Sequence, residues 1–275
     1  MVNSRKDFGQ LGVRAAHSVL LELVRMLGEY RNDIVVVGGW VPSFHFDHAE
    51  EKHVGSTDVD IALNHKTIDN QAYQTIHDLL VGRGYVEGKQ PFIFFRTLRV
   101  DKVKVKVEVD LLGGEYAGTG KGHRTQTVQD IRIRKARGCE PAFEQQDEKV
   151  VEGVLPNGGK DRASVRVAGI VPFIVMKAMA LHDRIKEKDA WDIYYCLKYY
   201  PGGNERLAEC FRPHLANRLV LEGLNKISEK FASVDDYGPT AVAGFEEIND
   251  SEEREFKQRD GYERVRDLLA RLGLP

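Results

Sequence analysis

The chain of 275 residues contains few cysteines and no long hydrophobic run, and these absences limit what kind of protein it is. Its three cysteines, Cys139, Cys196 and Cys210, are an odd number without a CxxC spacing, so neither a disulfide framework nor a zinc site is indicated. No stretch approaches the roughly 20 apolar residues of a membrane-spanning helix. The first residues also lack the apolar core of a signal peptide. We therefore expect a cytoplasmic protein that does not enter a membrane.

The net charge is also small, because 40 basic residues nearly balance 42 acidic residues and the formal charge is −2. This balance argues against a general nucleic-acid coat protein, while it permits a local basic patch. The chain is long enough to form two domains, each with its own core. The composition thus fits an enzyme that works on a defined substrate.

The most informative stretch is Val35 to Leu63, where an apolar strand runs into Gly38 and Gly39 and a later strand carries Asp58 and Asp60. Side chains two residues apart in a strand point to the same face, so the two carboxylates converge. They repel each other unless a cation lies between them, and Mg²⁺ suits such a site. The glycines can adopt a positive φ and offer their N–H groups to phosphate oxygens. A glycine pair alone is common in tight turns, and two alternating aspartates alone are common on solvated strands. The two features together favour a functional site.

A third strand, predicted from Val100 to Leu112, alternates strictly between apolar and polar residues. Its polar face carries three lysines and then ends in Glu108 and Asp110. For the lysines, the face of a solvated edge strand is the favoured interpretation. For Asp110 we favour the metal site, because a third carboxylate completes the pair formed by Asp58 and Asp60. Whether Glu108 shares the site is left open.

These positions resemble the DNA polymerase β-like nucleotidyltransferase superfamily, whose pattern is Gly-Gly or Gly-Ser, a spacer, two alternating aspartates and a later acidic residue. The pattern falls on Gly38, Gly39, Asp58, Asp60 and Asp110. One departure is Trp40, which stands where a small or hydroxyl residue often follows the glycines. A hydroxyl contact to phosphate would then come from Ser43 or Ser56.

A second resemblance covers Val171 to Leu197, which is similar to the AbiEii/AbiGii toxin-type nucleotidyltransferases. The matching positions are Lys177, Arg184, Lys188, Asp189 and Asp192. The resemblance implies that Lys177 contacts the triphosphate and that Asp189 belongs to the site. The residues themselves allow a simpler interpretation, in which Lys177 extends from an apolar helix to water and Asp189 complements the dipole of a first helical turn.

The two resemblances imply an enzyme that transfers a nucleoside monophosphate from an NTP to an acceptor. Two Mg²⁺ ions, with Mn²⁺ as the alternative, would be held by Asp58, Asp60 and Asp110. The nucleotide-binding residues would be Gly38, Gly39, Ser56 and Lys177. The implied acceptor is tRNA, another RNA or a protein, and the implied biology is a toxin paired with an antitoxin. Two alternatives are a small-molecule nucleotidyltransferase of the antibiotic-modifying kind and a nucleotide-binding module with a decayed site.

The fold class predicted is α+β, with a small mixed β-sheet flanked by helices and followed by a mainly helical C-terminal domain. Residues 1–125 are predicted to form the nucleotidyltransferase core with the metal site. Residues 126–275 are predicted to form a region of β-strands and turns and then the helical domain that completes the site. Within these ranges the sequence predicts a glycine-rich loop at 113–124, a hairpin in VLPNGGKDR and a polar loop in SVDDYGPTAVAGFEEIND.

Overall fold

The computed structural model describes residues 4–64, 66–68, 70–90, 92–113, 125–128, 131–136 and 138–275, with only the backbone for residues 70, 125–128 and 131–135. The described chain forms two compact units. The sheet unit consists of residues 9–44 and 55–169, and the helical unit consists of residues 4–8, 45–54 and 170–275. The boundary predicted near residue 125 falls within the sheet unit. Most of the predicted glycine-rich loop, residues 114–124, lies outside the described residues.

Among its described residues, the sheet unit contains nine strands: β1 (Ile34–Val37), β2 (Asp58–Leu63), β3 (Val86–Glu87), β4 (Ile93–Val100), β5 (Val103–Gly113), β6 (Thr125–Val128), β7 (Ile131–Lys135), β8 (Gln146–Val154) and β9 (Lys160–Ala168). Seven of them form one mixed sheet in the order β3-β4-β5-β2-β1-β9-β8, and β7 pairs with β5 and β6. Its helices are α1 (Gln10–Met26), α2 (Val41–His45, which ends in the helical unit), α3 (Asn70–Gly82) and α4 (Pro141–Glu144). The predicted hairpin is confirmed, since β8 and β9 are antiparallel around the turn that follows Val154.

The core of the sheet unit lies on one face of the sheet, against α1. The alternation of β5 fixes its orientation, because Val107, Val109 and Leu111 are buried on that face and the intervening polar side chains must point the other way. A buried carboxylate on α1, that of Glu22, accepts hydrogen bonds from Arg96 and from Tyr85. These bonds join α1 to β4, so the sheet's opposite face is left for the polar residues.

From residue 170 onwards, the α-helices of the helical unit are α5 (Ile170–Asp183), α6 (Glu187–Tyr199), α7 (Gly203–Phe211), α8 (Arg218–Lys230), α9 (Tyr237–Phe245) and α10 (Ser251–Arg271). Its core is rich in aromatic rings, with Trp191 packed at 5.2 Å from Tyr195 and at 4.9 Å from Phe245 between ring centroids. In the described part of the chain, no helix is both long and apolar enough to cross a membrane. The predicted fold class, a mixed sheet with flanking helices and a helical C-terminal region, is confirmed.

The loop predicted between residues 233 and 250 is wrong in its central part, which is the buried helix α9. Gly238 and Gly244 lie in α9 and mark close packing. A side chain at Gly238 would lie 2.6 Å from the carbonyl oxygen of Lys230, and one at Gly244 would lie 2.7 Å from the carboxylate of Glu187. The glycines therefore let α9 approach its neighbours instead of ending a helix.

Candidate active site

The predicted carboxylates occupy one face of two adjacent strands. Strands β2 and β5 are parallel, and their register places Asp58 opposite Glu108 and Asp60 opposite Asp110. Neighbouring strands lie about 4.8 Å apart, and paired residues point to the same side. The face runs from exposed Asp58, through half-buried Asp60 and Glu108, to Asp110, which is 6% exposed. The structure thus brings the three predicted aspartates together on one face, with Glu108 beside them.

The glycine turn lies directly against this face. Strand β1 is antiparallel to β2 and places Val37 opposite Asp60, so the next residue, Gly38, meets the Asp60 side chain. Gly38 has a φ of 70°, as the sequence predicted for a residue in this turn. A Cβ atom there would lie 2.7 Å from Cγ of Asp60 and 2.9 Å from its Cβ. Gly38 is therefore required for the backbone angle and for the space that the Asp60 carboxylate occupies.

Replacing Gly38 with alanine should impair both stability and nucleotidyl transfer. The methyl group would force a left-handed backbone angle on a residue with a Cβ, which costs about 1–2 kcal/mol, and would also displace the Asp60 carboxylate. Thermal unfolding and transfer of label from an α-labelled NTP measure the two effects. Gly28→Ala is the matched control, because a Cβ there meets no described atom within 4 Å. Full activity of Gly38→Ala would contradict the assigned contact.

Two side chains fix the first aspartate of the pair. The Ser56 hydroxyl donates a short hydrogen bond to the Asp58 carboxylate, and Trp40 Nε1 donates to the Asp58 carbonyl oxygen over 2.9 Å. Trp40 looked like a departure from the superfamily pattern, but its indole ties the helical turn after the glycines to β2. The described contact of Ser56 is with Asp58, and its predicted contact with a nucleotide stays a prediction.

Buried Cys139 lies close enough to the carboxylate face for its pKa to respond to it. Burial raises the pKa of the Cys139 thiol well above its usual value, and the negative charges of Glu140 and Asp60 raise it further. A thiol in this environment stays protonated and is a poor nucleophile. Cys139 is therefore a neutral, buried group near Asp60, and no pattern in the sequence had indicated this proximity.

The donor set on this face suits Mg²⁺, because carboxylate oxygens are the hard ligands that this cation prefers. Within the described ranges of the chain, no three His, Cys, Asp or Glu side chains form a ready-made group for one ion. What the fold supplies is the backbone register, which puts Asp58, Asp60 and Asp110 on one face.

Lys177 and Asp189, predicted from the second resemblance, belong to the helical unit and contact each other there. Lys177 Nζ lies 2.8 Å from Asp189 Oδ1 and 2.6 Å from Asp192 Oδ2. Arg184 Nε donates to Asp189 Oδ2 over 3.1 Å. Both aspartates are almost fully buried. Lys177 is therefore held in a buried ion cluster, so the simpler interpretation, in which it extends to water, is wrong. Its predicted contact with a triphosphate stays a prediction.

Asp192 is the centre of this cluster. Its carboxylate also accepts hydrogen bonds from Lys188 Nζ over 2.8 and 3.0 Å and contacts His53 Nε2 at 2.9 Å. Burial alone would raise the pKa of Asp192, but Lys177 and Lys188 outweigh it and hold that pKa well below its usual range. The buried carboxylate is therefore ionised and fully compensated. His53 had no signal in the sequence, since a lone histidine in a polar stretch predicts nothing by itself.

The burial of His53 predicts a loss of stability in mild acid. Burial, with help from Lys188, lowers the pKa of His53 from 6.5 to about 4. Between these pH values His53 binds a proton in the unfolded chain but not in the folded chain. The free energy of unfolding therefore falls by on the order of 3 kcal/mol as the pH decreases through this window. Chemical unfolding of the native chain and of His53→Gln at pH 7 and pH 4.5 isolates this contribution. Equal losses in the two proteins would contradict it.

One family of known proteins matches most of the chain. The sequence model of the family described as "Nucleotidyl transferase AbiEii toxin, Type IV TA system" matches residues 23–272. The sheet and its candidate site fit a nucleotidyltransferase. The family match defines the class of protein as a nucleotidyltransferase. The chain belongs to the AbiEii family of nucleotidyltransferase toxins of type IV toxin–antitoxin systems. No curated protein sequence matches the chain significantly.

Proposed function

We propose that the chain transfers a nucleoside monophosphate from an NTP to an RNA acceptor, with tRNA as the first candidate, and that this transfer makes it a toxin. The single observation that carries the proposal is the register of β1, β2 and β5, which sets Gly38, Asp60 and Asp110 side by side. The family match supports the class of reaction. The nucleotide, the acceptor and the metal are our inference.

The proposed reaction forms a bond between an acceptor oxygen and the α-phosphorus and breaks the bond from that phosphorus to the bridging oxygen, so that pyrophosphate leaves. Asp58, Asp60 and Asp110 would hold two Mg²⁺ ions, with Mn²⁺ as the alternative. Bound there, these cations would neutralise the triphosphate and the leaving pyrophosphate.

The chain's own groups account for the remaining requirements of this chemistry. Asp110 would accept the proton of the attacking hydroxyl, because a carboxylate beside the reacting atoms serves as a general base. Gly38 and Gly39 leave the backbone open to a phosphate group. For Lys177 we keep the proposal of a contact with the β- and γ-phosphates, and for Asp189 a role in catalysis. Both proposals rest on the resemblance of their segment.

The direct test is incubation of the protein with Mg²⁺, each α-labelled NTP in turn and either total RNA, purified tRNA or a cell lysate freed of RNA. Label in RNA supports the proposal, and label in tRNA alone narrows the acceptor. Label only in a small molecule would favour the antibiotic-modifying alternative. Binding of NTP without transfer to any fraction would favour a decayed nucleotide-binding module.

The toxin part of the proposal predicts that expression of the chain arrests growth and that Asp58→Asn relieves the arrest. The reason is that the substitution removes one of the charges that would hold the cation while it keeps the shape of the side chain. Growth curves after induction, with protein amounts matched by immunoblot, measure the effect. Arrest that persists with Asp58→Asn at equal protein level would separate toxicity from nucleotidyl transfer. Co-expression with a neighbouring antitoxin gene tests for the proposed antitoxin.

A further inference from the structure

The sheet unit contains a pocket of about 690 Å³ at the edge formed by β3, β4 and β5. Its lining includes the apolar residues Val86, Ile93 and Phe95 and the basic residues Lys89 and Lys106. It also includes one acidic residue, Glu87, whose carboxylate lies 2.6 Å from His77 Nε2. A volume of this size is typical of sites for small molecules and cofactors. The carboxylate chemistry described above does not use these residues.

The pocket continues the face that carries the carboxylates. Strands β4 and β5 are antiparallel, and their register places Phe95 opposite Glu108 and Ile93 opposite Asp110. Phe95 therefore lies on the strand next to that of Asp110, about 4.8 Å away across the sheet, and two residues, about 7 Å, away along the strand direction. Both distances are within the span of a single nucleotide. A ligand in the pocket can thus extend to the carboxylates without leaving the sheet surface.

The pocket combines an aromatic surface with a movable positive charge. Lys106 Nζ lies 3.6 Å from the centroid of the Phe95 ring. Cation–π contacts at exposed sites are weak, so an anionic group can draw the ammonium group away and leave the ring face to a planar partner. Val86, 66% exposed, adds an apolar wall, and Lys89 adds a second charge to the lining.

Gly88 shapes the floor of the pocket beside the ring. A Cβ atom at Gly88 would lie 3.1 Å from Cε2 of Phe95 and 3.1 Å from the carbonyl oxygen of Ile93. These distances are tighter than ordinary van der Waals contact, so any other residue would push the ring from its position. Because Gly88 has no side chain, the Phe95 ring can lie in the pocket with one edge against the backbone.

We propose that this pocket binds one nucleotide, with its base against the Phe95 ring and a phosphate beside Lys106. The inference rests on the proposed function, since it assigns a subsite to the same sheet face. Flat aromatic bases stack on such rings whatever their sequence, and lysine supplies the matching charge for phosphate. The nucleotide has two sources, the NTP itself or a single-stranded residue of the RNA acceptor, and both present the same chemistry.

The test compares variants of the full chain for binding of each Mg²⁺–NTP and of a single-stranded RNA oligonucleotide of mixed sequence. Phe95→Leu should weaken binding of one probe by roughly tenfold or more, the loss expected when a base loses its stacking partner. Phe95→Tyr should restore binding, because it restores the ring. A loss for NTP alone assigns the pocket to the donor nucleotide, and a loss for RNA alone assigns it to the acceptor.

Lys106→Gln has a matched control on the same strand and face, Lys104→Gln, whose side chain is exposed and does not line the pocket. Lys106→Gln should weaken binding and reduce its dependence on salt, because one phosphate contact is lost, while Lys104→Gln should bind as the native chain does. Thermal unfolding establishes that each variant is folded.

The proposal is overturned if native protein binds the probes and folded Phe95→Leu and Lys106→Gln bind them equally well. A native chain that neither binds NTP nor transfers label would instead overturn the proposed function. A variant that binds normally and loses transfer would assign Phe95 or Lys106 to another role. The two failures are therefore distinguishable in one set of measurements.

Discussion

Asp60→Asn should abolish nucleotidyl transfer while the protein remains folded. The substitution keeps the size of the side chain that packs against Gly38, but it removes the charge that we propose holds a cation. Loss of one strong electrostatic contact to a transition state lowers kcat by about 10²- to 10³-fold, and we expect Asp58→Asn and Asp110→Asn to have effects at least as large. The measurement is the rate of label transfer from an α-labelled NTP, with thermal unfolding as the test of folding.

Asp101→Asn is the matched control for these variants. Asp101 belongs to the turn between β4 and β5, is exposed and pairs with Arg14 at 2.6 Å. Its φ is 49°, an angle that asparagine tolerates well. The control therefore removes one carboxylate from the same sheet unit without touching the carboxylate face, and it should keep full activity. Transfer by Asp60→Asn at the rate of this control would refute the proposed mechanism.

Glu108→Gln answers the question that the sequence left open. Glu108 lies opposite Asp58 in the strand register and on the same face as the three aspartates. If it shares the proposed cation site, its neutralisation should lower transfer and raise the Mg²⁺ concentration needed for half-maximal rate. If only Asp58, Asp60 and Asp110 serve the site, the Mg²⁺ dependence should be that of the native chain.

The sequence predicts the parts of the candidate site that depend on local pattern. The alternation in β5 identifies which side chains share a face, and the glycines before β2 predict a turn with positive φ. Local pattern does not give the strand order, because the pairing of Asp60 with Asp110 joins segments that are fifty residues apart in the chain. The superfamily resemblance supplied that pairing as an expectation, and the register of β2 and β5 agrees with it.

Other features have no local signal at all. Phe95 stands in an ordinary apolar run, and only the position of β4 beside β5 shows that its ring lies on the polar face. The loop predicted at α9 is wrong, and Gly238 and Gly244 serve close packing there, whereas Gly38 serves a turn. Glycine thus serves either close packing or a turn. Which of the two applies depends on the neighbouring element, which lies elsewhere in the sequence.

Asp192→Ala should destabilise the helical unit more than any surface substitution. The change leaves two buried ammonium groups, those of Lys177 and Lys188, without the carboxylate that now lies 2.6 and 2.8 Å from them. Breaking a buried ion pair by removal of one partner costs about 3–5 kcal/mol, because the remaining charge is buried uncompensated. Denaturant unfolding of the native and variant chains measures the loss.

Glu209→Ala is the control, since it removes a carboxylate from an exposed pair with Arg206 on α7. Exposed pairs of this kind contribute little to stability, so the loss for Asp192→Ala should be several-fold larger. The double variant Lys188→Met, Asp192→Leu separates two explanations of the larger loss. If the cost arises from uncompensated charge, removal of Lys188 together with Asp192 should recover part of the stability, although Lys177 keeps Asp189 as its partner. If the cost arises from lost packing alone, Asp192→Leu by itself should already be as stable as the double variant, and the charge argument would be wrong.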